Sequence, residues 1–144
     1  RITLMGTLTK EEEFIATLKK SPTNLNVINQ YALWCLENKN PEKANELWSQ
    51  ILLKDPHNLA ALINLGNLQL SNDNFESARH NYLEALKQDK NTDPILRNLC
   101  ILEYNSGNKL QAKEYFNRMS DKTLLKKANP IIYSELFNRR RSAS

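Results

Sequence analysis

Residues 59–88 read LAALINLGNLQLSNDNFESARHNYLEALKQ, and they contain the clearest indication of the fold. Apolar residues recur at steps of three and four on both sides of the polar segment 71–74, which is the pattern of two amphipathic helices joined by a turn. Gly66 in the first helix and Ala78 in the second are small, so the two helix backbones can approach closely. Tyr82 is large enough to fill the space beside that contact. The stretch therefore predicts a helical hairpin.

The same features recur before and after this stretch at one constant spacing, so the chain consists of equal units. An internal repeat of this length is typical of a helical array in which each unit packs on its neighbours. The units are 25–58, 59–92 and 93–126, with a further half unit from Lys127. Three places carry the signature in every unit: the eighth place is small, the twentieth is Ala and the twenty-fourth is aromatic. These residues are Ala32, Gly66 and Cys100 (with Ser134 in the half unit), then Ala44, Ala78 and Ala112, then Trp48, Tyr82 and Phe116.

The helix boundaries follow from polar segments that interrupt each unit at the same point, at 38–41, 71–74 and 105–108. Between these segments the apolar residues keep helical spacing. The first helices of the three units are predicted at 25–38, 59–71 and 93–105, and the second helices at 41–54, 75–88 and 109–119. The fold class is therefore all-α, a right-handed solenoid of antiparallel helix pairs.

The segment 1–24 before the first unit contains the capping box Thr9-Lys10-Glu11-Glu12. It predicts a helix over about 10–20. Since a terminal repeat exposes an apolar face that needs a cap, we expect this helix to cover the first unit through Phe14, Ile15 and Leu18.

The segment 127–144 after the third unit begins a helix at Asn129 and Pro130. It is interpreted as a capping helix or as the first half of another repeat. We expect Tyr133, Leu136 and Phe137 to lie on one face and to cover the third unit. The basic residues 139–144 are predicted to be a frayed tail.

The repeated small–small–aromatic signature resembles that of the tetratricopeptide repeat family, and the resemblance covers most of the chain. One departure is the eleventh place, where the family usually has an aromatic residue and this chain has Cys35, Gln69 and Glu103. The resemblance implies a module without catalytic activity, an adaptor or scaffold that binds a segment of a partner protein in a concave groove.

By this resemblance, the groove is lined by one face of the first helix of each unit, opposite its core positions. The implied contact residues are Asn29, Gln30, Leu33, Ile63, Asn64, Asn67, Leu70, Arg97, Asn98, Ile101 and Tyr104. The sixth place is a primary amide in every unit, as Gln30, Asn64 and Asn98, and an amide both donates and accepts hydrogen bonds. An apolar stripe runs beside these amides, and exposed apolar surface of this kind marks partner sites. The stripe consists of Leu33, Leu36, Ile63, Leu70, Ile101 and Tyr104.

A clamp for a C-terminal carboxylate, known in this family, is not predicted. Its first lysine would fall at Asn29 or at Ile63, depending on the unit from which the clamp starts. Without cationic residues at these places a carboxylate has no charged partner.

The composition offers little for catalysis, for cofactors or for metals. The chain of 144 residues has 3 Gly, 2 Cys and 2 His, and His57 and His80 have no ligands at metal-binding spacing. We expect Cys100, and also Cys35, to be buried apolar residues. No apolar run reaches the roughly 20 residues that span a bilayer. The first residue is Arg, so the sequence is interpreted as a fragment or a processed chain; a cytoplasmic location is favoured, and an exported or envelope location stays open.

Two alternative functions remain open at this point. The apolar faces could belong to a structural subunit buried in a permanent assembly. The net charge is +4, and a basic end could contact a nucleic acid or an anionic surface, which is the less favoured alternative. The basic residues in question are Lys122, Lys126, Lys127, Arg139, Arg140 and Arg141.

Overall fold

The computed structural model describes residues 7–88 and 92–143, with the side chains of 139–143 excepted. Within these ranges the chain forms nine α-helices and no strand. The helices are α1 (Lys10–Lys20), α2 (Leu25–Glu37), α3 (Pro41–Lys54), α4 (Leu59–Ser71), α5 (Phe75–Leu86), α6 (Asp93–Asn105), α7 (Lys109–Arg118), α8 (Thr123–Ala128) and α9 (Pro130–Ala143).

The six central helices, α2 to α7, begin at the residues predicted from the sequence and end within two residues of the predicted ends. Short turns join α2 to α3 and α6 to α7, and each of these pairs packs together. Two consecutive helices joined by a short turn and packed along their length are antiparallel. The predicted all-α class of antiparallel helix pairs is confirmed.

The turn between the two helices of each hairpin has the same backbone geometry three times. Residues Lys39, Asp73 and Gly107, at equivalent places of the three units, have φ values of 62°, 60° and 95°. The residue after each one donates its backbone N–H to a carbonyl five residues earlier, over 2.7–2.8 Å. This is the bond of a helix that ends in a left-handed residue, a conformation that glycine adopts without steric cost. Only the third hairpin has glycine there.

The substitution Lys39→Gly is therefore expected to raise the free energy of unfolding. The left-handed conformation costs a residue with a Cβ about 1–2 kcal/mol, and the greater entropy of glycine in the unfolded chain offsets part of the gain, which leaves about 0.5 kcal/mol. Gly107→Ala is the matched control and should lower the stability, because its φ is 95°. Urea unfolding followed by circular dichroism measures both. A less stable Lys39→Gly protein would contradict the argument.

The described residues divide into two compact parts, an N-terminal body that ends at Ala61 and a C-terminal body that begins at Leu62. The core of the N-terminal body comes from α1, α2 and α3, and its largest fully buried residues include Trp48 and Ile51. In the C-terminal body the fully buried side chains include Tyr82, Leu99 and Leu125. The signature residues Ala32, Ala44, Ala78, Cys100 and Ala112 all have no exposed surface, in agreement with close packing of helix backbones.

Helix α1 begins with the predicted capping box: Thr9 Oγ1 accepts from the Glu12 N–H over 3.1 Å, and Glu12 Oε1 accepts from the Thr9 N–H over 3.0 Å. The ring of Phe14 stacks on that of Tyr31 at 5.1 Å, so α1 covers α2 as expected. Leu18 is half-buried. Ile15, also expected to cover the repeat, is 43% exposed because it lies one residue around the helix from the packed face of Phe14.

Helix α9 packs on both α7 and α8. Leu136 is fully buried as predicted, and its partner on the buried face is Ile132, which the sequence analysis did not single out. The expectation that Phe137 is covered is wrong, because its side chain is 59% exposed. Tyr133 is half-buried and Ser134 is exposed, so the fourth small residue of the series is not buried as the first three are.

Two further features of this end differ from the expectation. Helix α8 was not predicted, because six residues are too few to show a helical period; Asp121 Oδ1 accepts from the N–H of Thr123 at its start. The backbone of residues 139–143, predicted to be a frayed tail, is helical. The side chains of Arg139, Arg140 and Arg141 lie outside the described part, as does Ser144. None of the described helices is long and apolar enough to cross a membrane.

Candidate partner-binding surface

In the N-terminal body, three of the predicted contact residues lie along α2. Gln30 is exposed and Leu33 is 38% exposed. Asn29 has a defined structural role, since its Oδ1 accepts a hydrogen bond from Trp48 Nε1 over 2.8 Å. The buried indole of α3 thereby fixes the orientation of an amide on the outer face of α2. Leu36, the next member of the apolar stripe, is 39% exposed.

In the C-terminal body, a chain of hydrogen bonds joins α4, α5 and α6 on the predicted face. Asn67 Oδ1 accepts from the hydroxyl of Tyr82 over 2.6 Å and from Nδ2 of Asn98 over 3.1 Å. Arg97 Nε donates to Asn98 Oδ1 over 3.1 Å. The aromatic residue of the repeat signature thus anchors two amides and a guanidinium. We call these four residues the amide network.

The three asparagines of the predicted face in this body, Asn64, Asn67 and Asn98, lie in different environments. Asn98 is only 8% exposed and uses its donor and its acceptor inside the body. Asn64 is half-buried, whereas Asn67 is exposed. Burial raises the pKa of the Tyr82 hydroxyl well above its usual range, and the charge of Arg97 opposes this rise. Tyr82 therefore stays protonated and donates its hydrogen bond throughout the neutral range.

The apolar stripe of the C-terminal body is partly exposed. Ile63, Leu70, Ile101 and Tyr104 are all half-buried. The Tyr104 hydroxyl donates to Glu135 of α9, and Lys109 lies over the Tyr104 ring and 3.6 Å from the same carboxylate. Glu135 thus belongs to this surface, although it is not among the contact residues predicted from the sequence. It stands at the ninth place of the half unit, as Leu33, Asn67 and Ile101 do in theirs, and that register could have revealed it.

The C-terminal body also contains a buried ion pair between α5 and α6. Arg79 of α5 donates to both oxygens of Glu103 on α6, from Nε over 2.7 Å and from Nη2 over 2.9 Å. Asn108 donates to the same carboxylate over 2.9 Å, and Glu103 is 3% exposed. Burial would raise the pKa of Glu103, but the bonds from Arg79, Asn108 and Ser106 outweigh burial and hold its pKa below the usual value. Glu103 replaces an aromatic residue of the family pattern and links two helices instead.

The described residues also include four side chains of reactive type, two cysteines and two histidines. Cys35 and Cys100 are fully buried as expected, and burial raises the pKa of the Cys100 thiol to about 12. His57 and His80 are both exposed. Among the residues that the structure describes, no group of His, Cys, Asp and Glu could hold a metal ion.

The fold and the repeated signature together define a helical-repeat protein built from tandem hairpins. Residues 35–99 match the family model of the tetratricopeptide repeat, and the nine helices of the described residues are consistent with a repeat protein of this kind. The family implies a helical solenoid and is generally one of protein–protein interaction modules. No curated protein matches the chain.

Proposed function

We propose that this chain is an adaptor or scaffold without catalytic activity, and that it binds a segment of a partner protein on the face of α4 and α6. The residues proposed to contact the partner in the C-terminal body are Ile63, Asn64, Asn67, Leu70, Arg97, Asn98, Ile101 and Tyr104. In the N-terminal body the proposed contacts are Asn29, Gln30 and Leu33.

The observation that carries the proposal is the amide network. It holds the exposed amide of Asn67 and the guanidinium of Arg97 in fixed orientations beside the half-buried side chain of Ile101. Polar groups fixed before binding lose less conformational entropy when a partner arrives. Because Asn67 Oδ1 already accepts two hydrogen bonds, a bound segment can accept from its Nδ2 group while the apolar side chains of the segment cover the stripe.

The experiment compares two double variants in a pull-down, followed by titration calorimetry with the captured partner. Arg97→Gln with Ile101→Gln changes the proposed face without touching a fully buried side chain. We expect at least about a tenfold loss of affinity, as for removal of contacts at the centre of an interface. The matched control is Arg118→Gln with Leu110→Gln on α7, where Arg118 is exposed and Leu110 is 77% exposed.

The control variant should bind as the unchanged protein does, because its two residues lie outside the proposed face. If both variants lose affinity equally, or if the variant at Arg97 and Ile101 keeps full affinity, the partner binds elsewhere and the proposed contact residues are wrong. Circular dichroism of both variants establishes that they fold alike.

A further inference from the structure

Three aromatic rings of the C-terminal body, none of them part of the amide network, form a continuous cluster. The rings of Phe116 and Tyr133 meet edge to face at 5.9 Å, and the rings of Tyr133 and Phe137 stack at 5.7 Å. Phe116 is buried, whereas Phe137 is 59% exposed in spite of the stacking. The cluster therefore presents the ring of Phe137 to solvent on a rigid support.

Lysine side chains surround this cluster. The ammonium groups of Lys113 and Lys122 lie 4.9 Å and 5.3 Å from the centre of the Phe116 ring, and that of Lys126 lies 5.7 Å from the centre of the Tyr133 ring. Lys122 Nζ also donates to the Met119 carbonyl over 2.9 Å. Within the described ranges, no carboxylate lies within ion-pair distance of Lys122 or Lys126.

The preceding repeat shows what differs at this position. There Arg79 forms an ion pair with Glu103, whereas Lys113 of the third unit donates to the Leu136 carbonyl. Lys113 has the same place in the third unit as Arg79 has in the second, and Phe137 has the same place in the half unit as Glu103 has in the third. An exposed aromatic ring thus occupies the place at which the previous repeat has a buried carboxylate. The cluster and its lysines combine positive charge with apolar surface, and a cleft between them is lined by Lys113, Phe116, Asn117, Lys122 and Phe137.

We propose that this cleft binds a short acidic segment of a partner protein, with a carboxylate on the ammonium of Lys122 and an apolar or aromatic side chain against Phe137. A carboxylate of the partner would form an ion pair with the ammonium of Lys122. A partner ring packed against Phe137 would bury apolar surface that is now exposed. The cleft is a binding site separate from the face of α4 and α6.

A peptide fits this cleft better than a nucleic acid does. The cleft is lined by five residues, which suits one or two side chains. The exposed carboxylates of Glu114 and Asp121 adjoin Lys113 and Lys122 in the chain, and they would repel the closely spaced phosphates of a strand that continued past the cleft. A peptide can place a single carboxylate at Lys122 and leave its neighbours uncharged.

The test is a selection from a random peptide library displayed on phage, with the unchanged protein as bait and the double variant Lys122→Gln with Phe137→Ala as competitor in solution. The competitor removes peptides that bind any other surface. Both substituted side chains are outside the fully buried core, so the variant should fold. A second variant, Lys54→Gln with Leu53→Ala, serves as the matched control because both residues are exposed and belong to the N-terminal body.

We expect the selected peptides to be enriched in Asp or Glu next to an aromatic or large apolar residue. Their affinity, measured by fluorescence polarisation, should fall at least about tenfold in the double variant and stay unchanged in the control. Selected peptides without acidic enrichment, or with equal affinity for the double variant, would overturn the proposal. It would also be overturned if a labelled oligothymidylate bound more tightly than the peptides and lost affinity in the double variant, since the cleft would then be a nucleic-acid site.

Discussion

Replacement of Arg79 by Met is expected to lower the free energy of unfolding by about 3 kcal/mol at neutral pH, the lower end of the range for breaking a buried ion pair. The substitution leaves the carboxylate of Glu103 almost without solvent, since that residue is 3% exposed. Asn108 and Ser106 still donate to it, which is why we expect the lower end. Urea unfolding followed by circular dichroism measures the change.

The same pair predicts a dependence on pH. The pKa of Glu103 is lower in the folded protein than its ordinary value of 4.5, so its carboxylate contributes stability above that value. The contribution is lost as the pH falls through the folded-state pKa. In the Arg79→Met variant we expect burial to outweigh the remaining bonds from Asn108 and Ser106 and to raise the pKa of Glu103. The variant can then relieve the buried charge by protonation, so the difference in stability between the variant and the unchanged protein should shrink as the pH falls from 7 to 4.

Two further variants separate the ion pair from other roles of Arg79. Glu76→Gln removes the other carboxylate bound by Arg79; since Glu76 is 95% exposed, its loss should change stability little. The double substitution Arg79→Met with Glu103→Met removes both charges and should restore most of the stability, because apolar residues of similar size often replace a buried pair at little cost. If the double variant is no more stable than Arg79→Met alone, then the buried charge of Glu103 is not the cause.

Most of the fold could be predicted from the repeat signature. Small residues at two places and an aromatic at a third recur at a fixed spacing, because each repeat must make the same close helix contact. Burial of Ala44, Ala78 and Ala112 follows directly from that rule. Exposure of Phe137 does not, because it depends on the packing of α9 against α7 and α8, and α8 is too short to leave a period in the sequence.

The candidate surface was less predictable for a different reason. Its positions follow from the helix register, but the hydrogen bonds of each amide depend on side chains from several helices. Asn67 and Asn98 are both asparagines on the same predicted face; one is exposed and the other is 8% exposed, because Tyr82 and Arg97 hold them differently. Glu103 likewise departs from the family pattern, and its role depends on Arg79 of the preceding helix, which donates to it.

The substitution Gly66→Val is expected to lower the free energy of unfolding by about 3 kcal/mol, near the upper end of the range for overpacking a core. A Cβ at this position would lie 2.8 Å from Cε1 of Tyr82 and 3.1 Å from Cδ1. The ring cannot retreat easily, because it has no exposed surface and its hydroxyl is held by Asn67 over 2.6 Å. The better helix propensity of a residue other than glycine offsets only up to about 1 kcal/mol.

A double-mutant cycle with Tyr82→Leu, measured by urea unfolding, tests whether the ring is the cause. Leucine removes the atoms that the new side chain would meet, so the cost of Gly66→Val should fall below about 1 kcal/mol in that background, a coupling typical of residues in direct contact. An equal cost in both backgrounds would show that the helix contact itself, and not the ring, requires glycine. The distinction matters for the partner surface, because Tyr82 anchors the amide network. Any substitution that displaces its ring should therefore also disturb Asn67 and Asn98, and it should weaken partner binding without altering a residue of the exposed face.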